Sequence, residues 1–68
     1  MIVVAGEIVV AAESAKAARA AAIEMGRATR SEPGCVTYRF YEDLEESGHF
    51  HVFEIWETGD ALKAHFGA

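Results

Sequence analysis

Three segments of the chain carry apolar side chains in the pattern of β-strands. Residues 2–12, IVVAGEIVVAA, are rich in β-branched side chains at both odd and even positions. This pattern is typical of a central strand that is buried on both faces, and Gly6 in its middle predicts a bulge or a close backbone approach. Residues 35–42, CVTYRFYE, and 49–56, HFHVFEIW, alternate on either side of the polar stretch DLEESG. These two segments are predicted to pair as a hairpin.

Residues 14–30, SAKAARAAAIEMGRATR, have the composition and period of an amphipathic helix. Ser14 is predicted to be its N-cap. The basic side chains fall on one face, while Ala18, Ala22 and Met25 form a thin apolar stripe on another. Because the stripe is made mostly of small residues, the helix is expected to lie close to a sheet.

A second helix is predicted near the end of the printed sequence. Pro33 and Gly34 end the first helix, because a proline disfavours helical backbone in the residue before it. The stretch TGDALKAHF, residues 58–66, then has the pattern of another helix, with Thr58 or Asp60 near its N-terminus.

The order strand, helix, strand, strand, helix predicts an α+β fold in one domain over residues 1–68. It corresponds to the first five elements of a ferredoxin-like β-α-β-β-α-β unit with an antiparallel sheet. A sixth element, the final strand of that unit, would pair with the free side of the first strand. Without it, an apolar strand edge lies open and invites pairing with another chain. The chain is therefore expected either to associate or to belong to a longer parent.

Length and cysteine content also favour association. A chain of 68 residues buries only about 60% of the surface that its unfolded form exposes, so its core is small. Cys35 is the single cysteine, which excludes a disulfide within the chain, and the histidines lack the paired spacing of a zinc site. We therefore expect no metal and a homodimer or higher homo-oligomer.

The charge and the first residues exclude several classes of partner. A net charge of −5 disfavours nucleic acid, and the basic residues of the helix alternate with alanines, not with aromatic side chains. The first apolar segment follows no positively charged stretch, is short and contains Glu7. It therefore predicts neither a signal peptide nor a membrane span, and the expected location is cytoplasmic.

Residues 32–43, EPGCVTYRFYED, and 50–66, FHVFEIWETGDALKAHF, resemble the antibiotic biosynthesis monooxygenase family, which includes quinol monooxygenases. The resemblance is close over residues 32–66 and extends to residues 1–31 by pattern only. It implies a dimeric α+β barrel built from two sheets. It also implies oxidation of polycyclic phenols or quinols by O₂ with no metal or flavin, and therefore no cofactor. Typical members continue through a longer second helix and a last strand.

A sister group of this family binds and degrades haem. In that group a histidine of the second helix ligates the iron beside the strand tryptophan, and an asparagine of the first strand assists. The spacing of Trp56 and His65 matches this arrangement, but the sequence contains no asparagine. The haem version of the site is therefore disfavoured.

The candidate site residues on the last strand share one face. Trp56 alternates in phase with Phe50 and Glu54. It is either a core anchor whose indole N–H finds a partner or a wall that stacks on a flat aromatic substrate. Glu54 lies among apolar neighbours and needs a partner such as Arg39 on the adjacent strand. It is interpreted either as half of that structural pair or as a proton acceptor.

His65 is the other candidate catalytic residue. An imidazole titrates near pH 6.5 and is suited to accept a phenolic proton; the alternative is a histidine on the helix surface. Tyr38 and Tyr41 fall on opposite faces of their strand, and either hydroxyl can orient a substrate. His49 and His51 are expected on a solvated or interface face, and Cys35 is expected to be inert. The predicted substrate-binding residues are Trp56, Phe50, Tyr38 and Arg39.

Two classes of function follow from the sequence. The first is a cofactor-independent monooxygenase acting on a quinol-like or polyphenolic aromatic molecule, with His65 or Glu54 as proton acceptor. The second is a non-catalytic dimeric module for binding or assembly, or a fragment of a longer enzyme of this family. The oxygen chemistry rests on the resemblance, and a closed cavity between the sheet and the second helix would favour the enzyme.

Overall fold

The computed structural model describes residues 1–67, and its elements follow the predicted order. A short 3₁₀ turn at Ala12–Ser14 joins the first strand to the first helix. The five elements form an α+β fold with a three-stranded antiparallel sheet, as predicted. Their bounds are β1 Ile2–Val9, α1 Ala15–Arg30, β2 Cys35–Glu42, β3 His49–Trp56 and α2 Gly59–Phe66.

The sheet has the order β1-β3-β2, so β3 lies in the middle. The hairpin of β2 and β3 confirms the prediction. Within residues 1–67, β1 is hydrogen-bonded to β3 alone, which confirms the open edge predicted for the first strand without the final strand of the unit. The prediction that this strand is buried on both faces is wrong, because Val3 and Val9 are exposed. Neither alternative predicted at Gly6 is present. β1 pairs with β3 without interruption, and a Cβ at Gly6 would make only an ordinary contact of 3.6 Å with the side chain of Val52, which lies opposite. The irregularity in the sheet lies in β2, between Cys35 and Thr37.

The first helix begins differently from the prediction. The backbone of Ser14 is already near helical geometry (φ −96°, ψ −4°), and its side chain makes no capping hydrogen bond. The 3₁₀ turn before it leads directly into α1, so Ser14 is not an N-cap in the usual sense. The buried and half-buried side of α1 follows the helical period and consists of Ala15, Ala18, Ala22, Gly26 and Thr29.

Two glycines with positive φ shape the connections around the sheet. Gly34 (φ 82°) follows α1, and a Cβ there would collide with the side chain of Ala61 in α2. Gly48 (φ 88°) precedes β3, and a Cβ there would collide with the carbonyl oxygen of Val10. Both positions therefore require glycine for its backbone freedom and for the close approach.

The second helix begins as predicted. Thr58 is its N-cap, with extended backbone, and its Oγ1 accepts a hydrogen bond of 3.1 Å from the N–H of Ala61. This cap fixes the direction in which α2 leaves the end of β3. The two helices within residues 1–67 both fall short of the length and apolar character needed to cross a lipid bilayer.

The core lies on the face of the sheet that the helices cover. Trp56 is the largest fully buried side chain, and Tyr38 and Phe50 are buried beside it. These residues occupy even-numbered positions of β2 and β3, which point to one side by strand alternation. The opposite side, which we term the open face, carries the exposed side chains Val3, Val9, Tyr41 and Phe53.

Candidate functional site

The end of β3 buries a tryptophan and a glutamate that are hydrogen-bonded to each other. Trp56 Nε1 donates to Glu54 Oε1 at 2.9 Å, and the two side chains are 0% and 6% exposed. The indole N–H therefore has the partner that its burial requires. Trp56 has the form of a core anchor and presents no surface of its own to a ligand in this arrangement.

The predicted pairing of Glu54 with Arg39 is wrong. In the register of the hairpin, Tyr38 lies opposite Glu54 and Arg39 lies opposite Phe53. Successive side chains of a strand point to opposite faces, so Arg39 cannot reach the buried carboxylate. The indole of Trp56 takes the place that the sequence assigned to the guanidinium.

His65 is brought from α2 onto the buried tryptophan. Its imidazole stacks on Trp56 with 4.9 Å between ring centroids and 29° between planes. Its Nδ1 lies 2.9 Å from Glu32 Oε1, and its side chain is 16% exposed. The interpretation of His65 as a helix-surface residue is therefore wrong, and the predicted proximity of Trp56 and His65 is present as a direct stack.

Glu32 is the site residue that the sequence analysis missed. It lies in the turn after α1, where its N–H donates to the carbonyl of Thr29 and its carbonyl accepts from the N–H of Cys35. These backbone bonds fix the turn between α1 and β2. The turn approaches α2 closely where Gly34 meets Ala61, and the Glu32 carboxylate contacts His65 on the same helix. Glu32 and His65 are 33 positions apart, so no local spacing rule connects them. The one feature of the sequence that could have indicated Glu32 as a site residue is its position in the EPGC stretch, which carried part of the family resemblance.

Tyr38 lies beside this pair, against α1. Its hydroxyl donates to the sulfur of Met25 at 3.6 Å, and its ring meets His65 edge-on with 5.6 Å between centroids. Burial raises the pKa of Tyr38, and the negative charges of Glu54 and Glu32 raise it further. The phenol therefore stays protonated at neutral pH. Its strand neighbour Tyr41 lies on the open face, as the alternation predicted.

The contact between His65 and Glu32 has the arrangement of a general base. A carboxylate accepts a hydrogen bond from Nδ1–H, which leaves the Nε2 lone pair of the imidazole to take a proton. His65 and Glu32 line a cleft of about 550 Å³, together with the further carboxylates Glu57 and Asp60. This site, formed by His65, Glu32, Trp56, Glu54 and Tyr38, is termed the histidine site below.

The predicted substrate-binding residues divide between two places. Trp56 and Tyr38 belong to the histidine site. Phe50 and Arg39 line a different cleft, of about 440 Å³, between α1 and β2. Because β2 is at the edge of the sheet, side chains from both of its faces reach this second cleft.

Two further candidates take no part in the histidine site: the thiol of Cys35 is unreactive, and His49 lies elsewhere on the sheet. Burial raises the pKa of the Cys35 thiol, and Glu32 and Glu54 add to the rise, so the thiol stays protonated. His49 Nε2 lies 3.1 Å from Glu46 Oε2, in a largely exposed pair. Residues 1–67 contain no group of three or more histidine, cysteine, aspartate or glutamate side chains placed to hold a metal ion.

Comparison with known proteins places the fold among a defined set of relatives. An uncharacterized protein of Synechocystis sp. is 43% identical over 65 residues, which cover 96% of this chain and 44% of that protein. A crystal structure of a protein assigned to the antibiotic biosynthesis monooxygenases of Deinococcus radiodurans matches with a TM-score of 0.95 and 34% identity, over 100% of this chain and 67% of that one. The Rv0793 structure of Mycobacterium tuberculosis matches with a TM-score of 0.83 and 32% identity, over 97% and 65%.

The chain thus spans less than half of the curated relative and about two thirds of the solved structures. The sequence model of the family described as antibiotic biosynthesis monooxygenase matches residues 1–68. The element order and the high TM-scores to these structures agree with this match. The chain belongs to the antibiotic biosynthesis monooxygenase family.

Proposed function

We propose that the histidine site oxidises a small electron-rich phenol or quinol with O₂, without a resident metal or flavin. Family membership supports the reaction class. The observation that carries the assignment to this site is the contact of His65 Nδ1 with Glu32 Oε1 at 2.9 Å, on an imidazole held flat against Trp56. A base held in one orientation and partly shielded from water is what proton abstraction from a phenol requires.

The chemistry begins with proton transfer to His65. The substrate is a phenol whose keto tautomer carries a ring methylene. Its O–H proton is transferred to Nε2 of His65, and Glu32 stabilises the imidazolium that forms. The resulting anion is electron-rich and reduces O₂. One oxygen atom becomes the new ring carbonyl, and the other leaves as water with the two hydrogens of the methylene. The substrate thus supplies all four electrons, and His65 returns to its starting state.

The charges around the cleft favour a neutral substrate. Glu32, Glu57 and Asp60 all line the cleft into which His65 opens. Three carboxylates repel a ligand that arrives as an anion, whereas a neutral phenol pays no such cost. The phenol therefore binds in its neutral form, and His65 removes the proton afterwards. The phenolate and the imidazolium that result attract each other as an ion pair.

Trp56 and Glu54 act as positioning residues in this proposal. Glu54 accepts the indole N–H and so fixes the ring plane on which His65 rests. Neither side chain is open to a substrate, since both are buried. Proton acceptance is therefore assigned to His65, and Tyr38 supplies an aromatic edge beside it.

Oxygen uptake with a panel of hydroquinones and anthrones tests this function. With the purified chain in the presence of a chelator, we expect one O₂ consumed for each substrate molecule oxidised to a ketone, at a rate well above that of spontaneous oxidation. Product analysis with ¹⁸O₂ should place one labelled atom in the product. If every member of the panel is oxidised only at the protein-free rate, the proposed function is wrong.

The second candidate function is an assembly module, and the exposed first strand favours it. Among the described residues, 1–67, β1 pairs with β3 on one side only, and Val3 and Val9 are 61% and 63% exposed. Exposed apolar strands at a sheet edge are sites of pairing with other chains. We propose that two copies of the chain associate through this strand and the open face as a homodimer. Both functions are compatible, because the histidine site lies on the opposite side of the sheet.

Sedimentation analysis tests the homodimer. We expect the chain to sediment at twice its mass of 7.4 kDa and Val3→Lys to sediment as a monomer, because a charge on the strand opposes burial. Ile23→Lys is the matched control, since Ile23 is exposed on α1, away from the open face, and it should remain dimeric. A monomeric parent chain at high micromolar concentration would contradict the proposal.

A further inference from the structure

The cleft between α1 and β2 gathers all the arginines of an acidic chain. The net charge is −5, yet Arg19, Arg27, Arg30 and Arg39 all line this one cleft of about 440 Å³. Its volume falls in the range of small-molecule sites. Such a concentration of guanidinium groups reverses the local charge relative to the rest of the surface.

The fold produces this cluster from two elements. Arg19, Arg27 and Arg30 lie on α1 at spacings of eight and three residues, which place them along one flank of the helix. Arg39 lies on the open face of β2, opposite Phe53, and β2 is the strand at the edge of the sheet. Because β2 has no strand on its far side within residues 1–67, Arg39 can reach the same cleft as the helix.

The existing contacts leave an excess of positive charge. Arg19 Nε lies 2.6 Å from Glu42 Oε1, and Arg30 Nη1 donates to the carbonyl of Tyr38 at 2.9 Å. The hydrogen bond from Arg19 lowers the pKa of Glu42, with help from the N–H of Gly48, so this carboxylate stays charged and neutralises one guanidinium. Within residues 1–67, neither ion pairs nor side-chain hydrogen bonds involve Arg27 or Arg39.

The remaining walls of the cleft are aromatic and aliphatic. Phe40 and Phe50 come from the covered face of the sheet, Tyr41 comes from the open face, and Ala22 and Ile23 come from α1. Aromatic rings and guanidinium planes both stack on flat ligands, and guanidinium forks bind carboxylate and phosphate through two parallel hydrogen bonds. The combination suits a ligand with a flat ring and an oxyanion.

We propose that this arginine cleft binds a small planar aromatic anion, a ring that carries carboxylate or phosphate groups. The site is separate from the histidine site, because the two clefts share no lining residue. Tyr38 stands between them, with its ring 5.5 Å from Phe40 and 5.6 Å from His65 between centroids. The inference therefore goes beyond the proposed function, which uses a neutral ligand at His65.

An NMR titration tests the arginine cleft. The four arginine Nε–Hε signals should shift saturably with phthalate, the carboxylate probe, and with phenyl phosphate, the phosphate probe. The probe with the lower Kd identifies the anionic group that the cleft prefers. The double variant Arg27→Gln/Arg39→Gln should raise the Kd at least about 10-fold, because each substitution removes a charge-assisted hydrogen bond to the ligand. Lys16→Gln, on the same helix but outside the cleft, is the matched control and should leave the Kd unchanged.

Four outcomes would overturn the inference. Benzyl alcohol binding as tightly as phthalate would show that the arginines do not select an anion. Inorganic phosphate binding as tightly as phenyl phosphate would show that the aromatic walls do not contribute. An unchanged Kd in the folded double variant would place the ligand elsewhere. Signals of Arg19, Arg27 and Arg30, the arginines of α1, that move on dilution without any probe would show that a second copy occupies the cleft instead; Arg39 is left out of this comparison because it lies on the open face that the proposed dimer uses.

Discussion

Replacing His65 with glutamine is expected to lower kcat for phenol oxidation by about 10²–10⁴-fold while KM changes little. Glutamine keeps a polar side chain near Glu32 but has no nitrogen lone pair to accept a proton. Glu32→Gln should lower kcat in the same direction by a smaller factor, because the imidazolium loses its carboxylate but the base remains. Steady-state oxygen uptake with the best substrate of the panel measures both effects.

The chain offers a matched control for this prediction. His49 also contacts a carboxylate, that of Glu46 at 3.1 Å, but the pair is exposed and lies away from Trp56. His49→Gln should therefore leave kcat and KM at their parent values. Circular dichroism should first establish that His65→Gln is folded. A folded His65→Gln protein with kcat within twofold of the parent would remove His65 from the mechanism.

Replacing Trp56 with alanine is expected to lower the free energy of unfolding by about 3–5 kcal/mol. Trp56 is fully buried, its ring supports His65, and its N–H satisfies Glu54. Because small domains have total stabilities of only about 5–15 kcal/mol, the variant should be largely unfolded at modest urea concentrations. Urea titration followed by far-UV circular dichroism measures the change.

A milder substitution separates the packing of the ring from its hydrogen bond. Trp56→Phe keeps an aromatic ring but leaves the buried carboxylate of Glu54 without its donor, at a cost of about 1–3 kcal/mol beyond the loss of volume. Adding Glu54→Leu removes that carboxylate and should recover part of the stability. Phe53→Leu, on the open face, should change stability by less than either. A double variant no more stable than Trp56→Phe would show that the hydrogen bond contributes nothing.

The sequence was sufficient for the order of the elements and for the faces of the hairpin. Alternation placed Trp56, Glu54 and Phe50 on one side and separated Tyr38 from Tyr41, and each of these placements holds. Alternation succeeds because it follows from the geometry of a single strand. A different pattern, apolar residues at both odd and even positions, predicted that the first strand is buried on both faces, but Val3 and Val9 are exposed. Apolar residues on both faces record the surfaces that a strand can bury, and they do not tell whether a second strand pairs with it within the same residues.

The contacts of the histidine site and the arginine cleft were decided by tertiary structure. Glu32 meets His65 because the turn after α1 packs against α2 at Gly34 and Ala61, an approach that depends on two helices and not on spacing along the chain. Arg39 joins the arginines of α1 because β2 is the edge strand beneath that helix. Local periodicity determines which way each side chain points. Which side chains then meet depends on how the elements pack, because residues far apart in sequence are brought together only when their elements share a core.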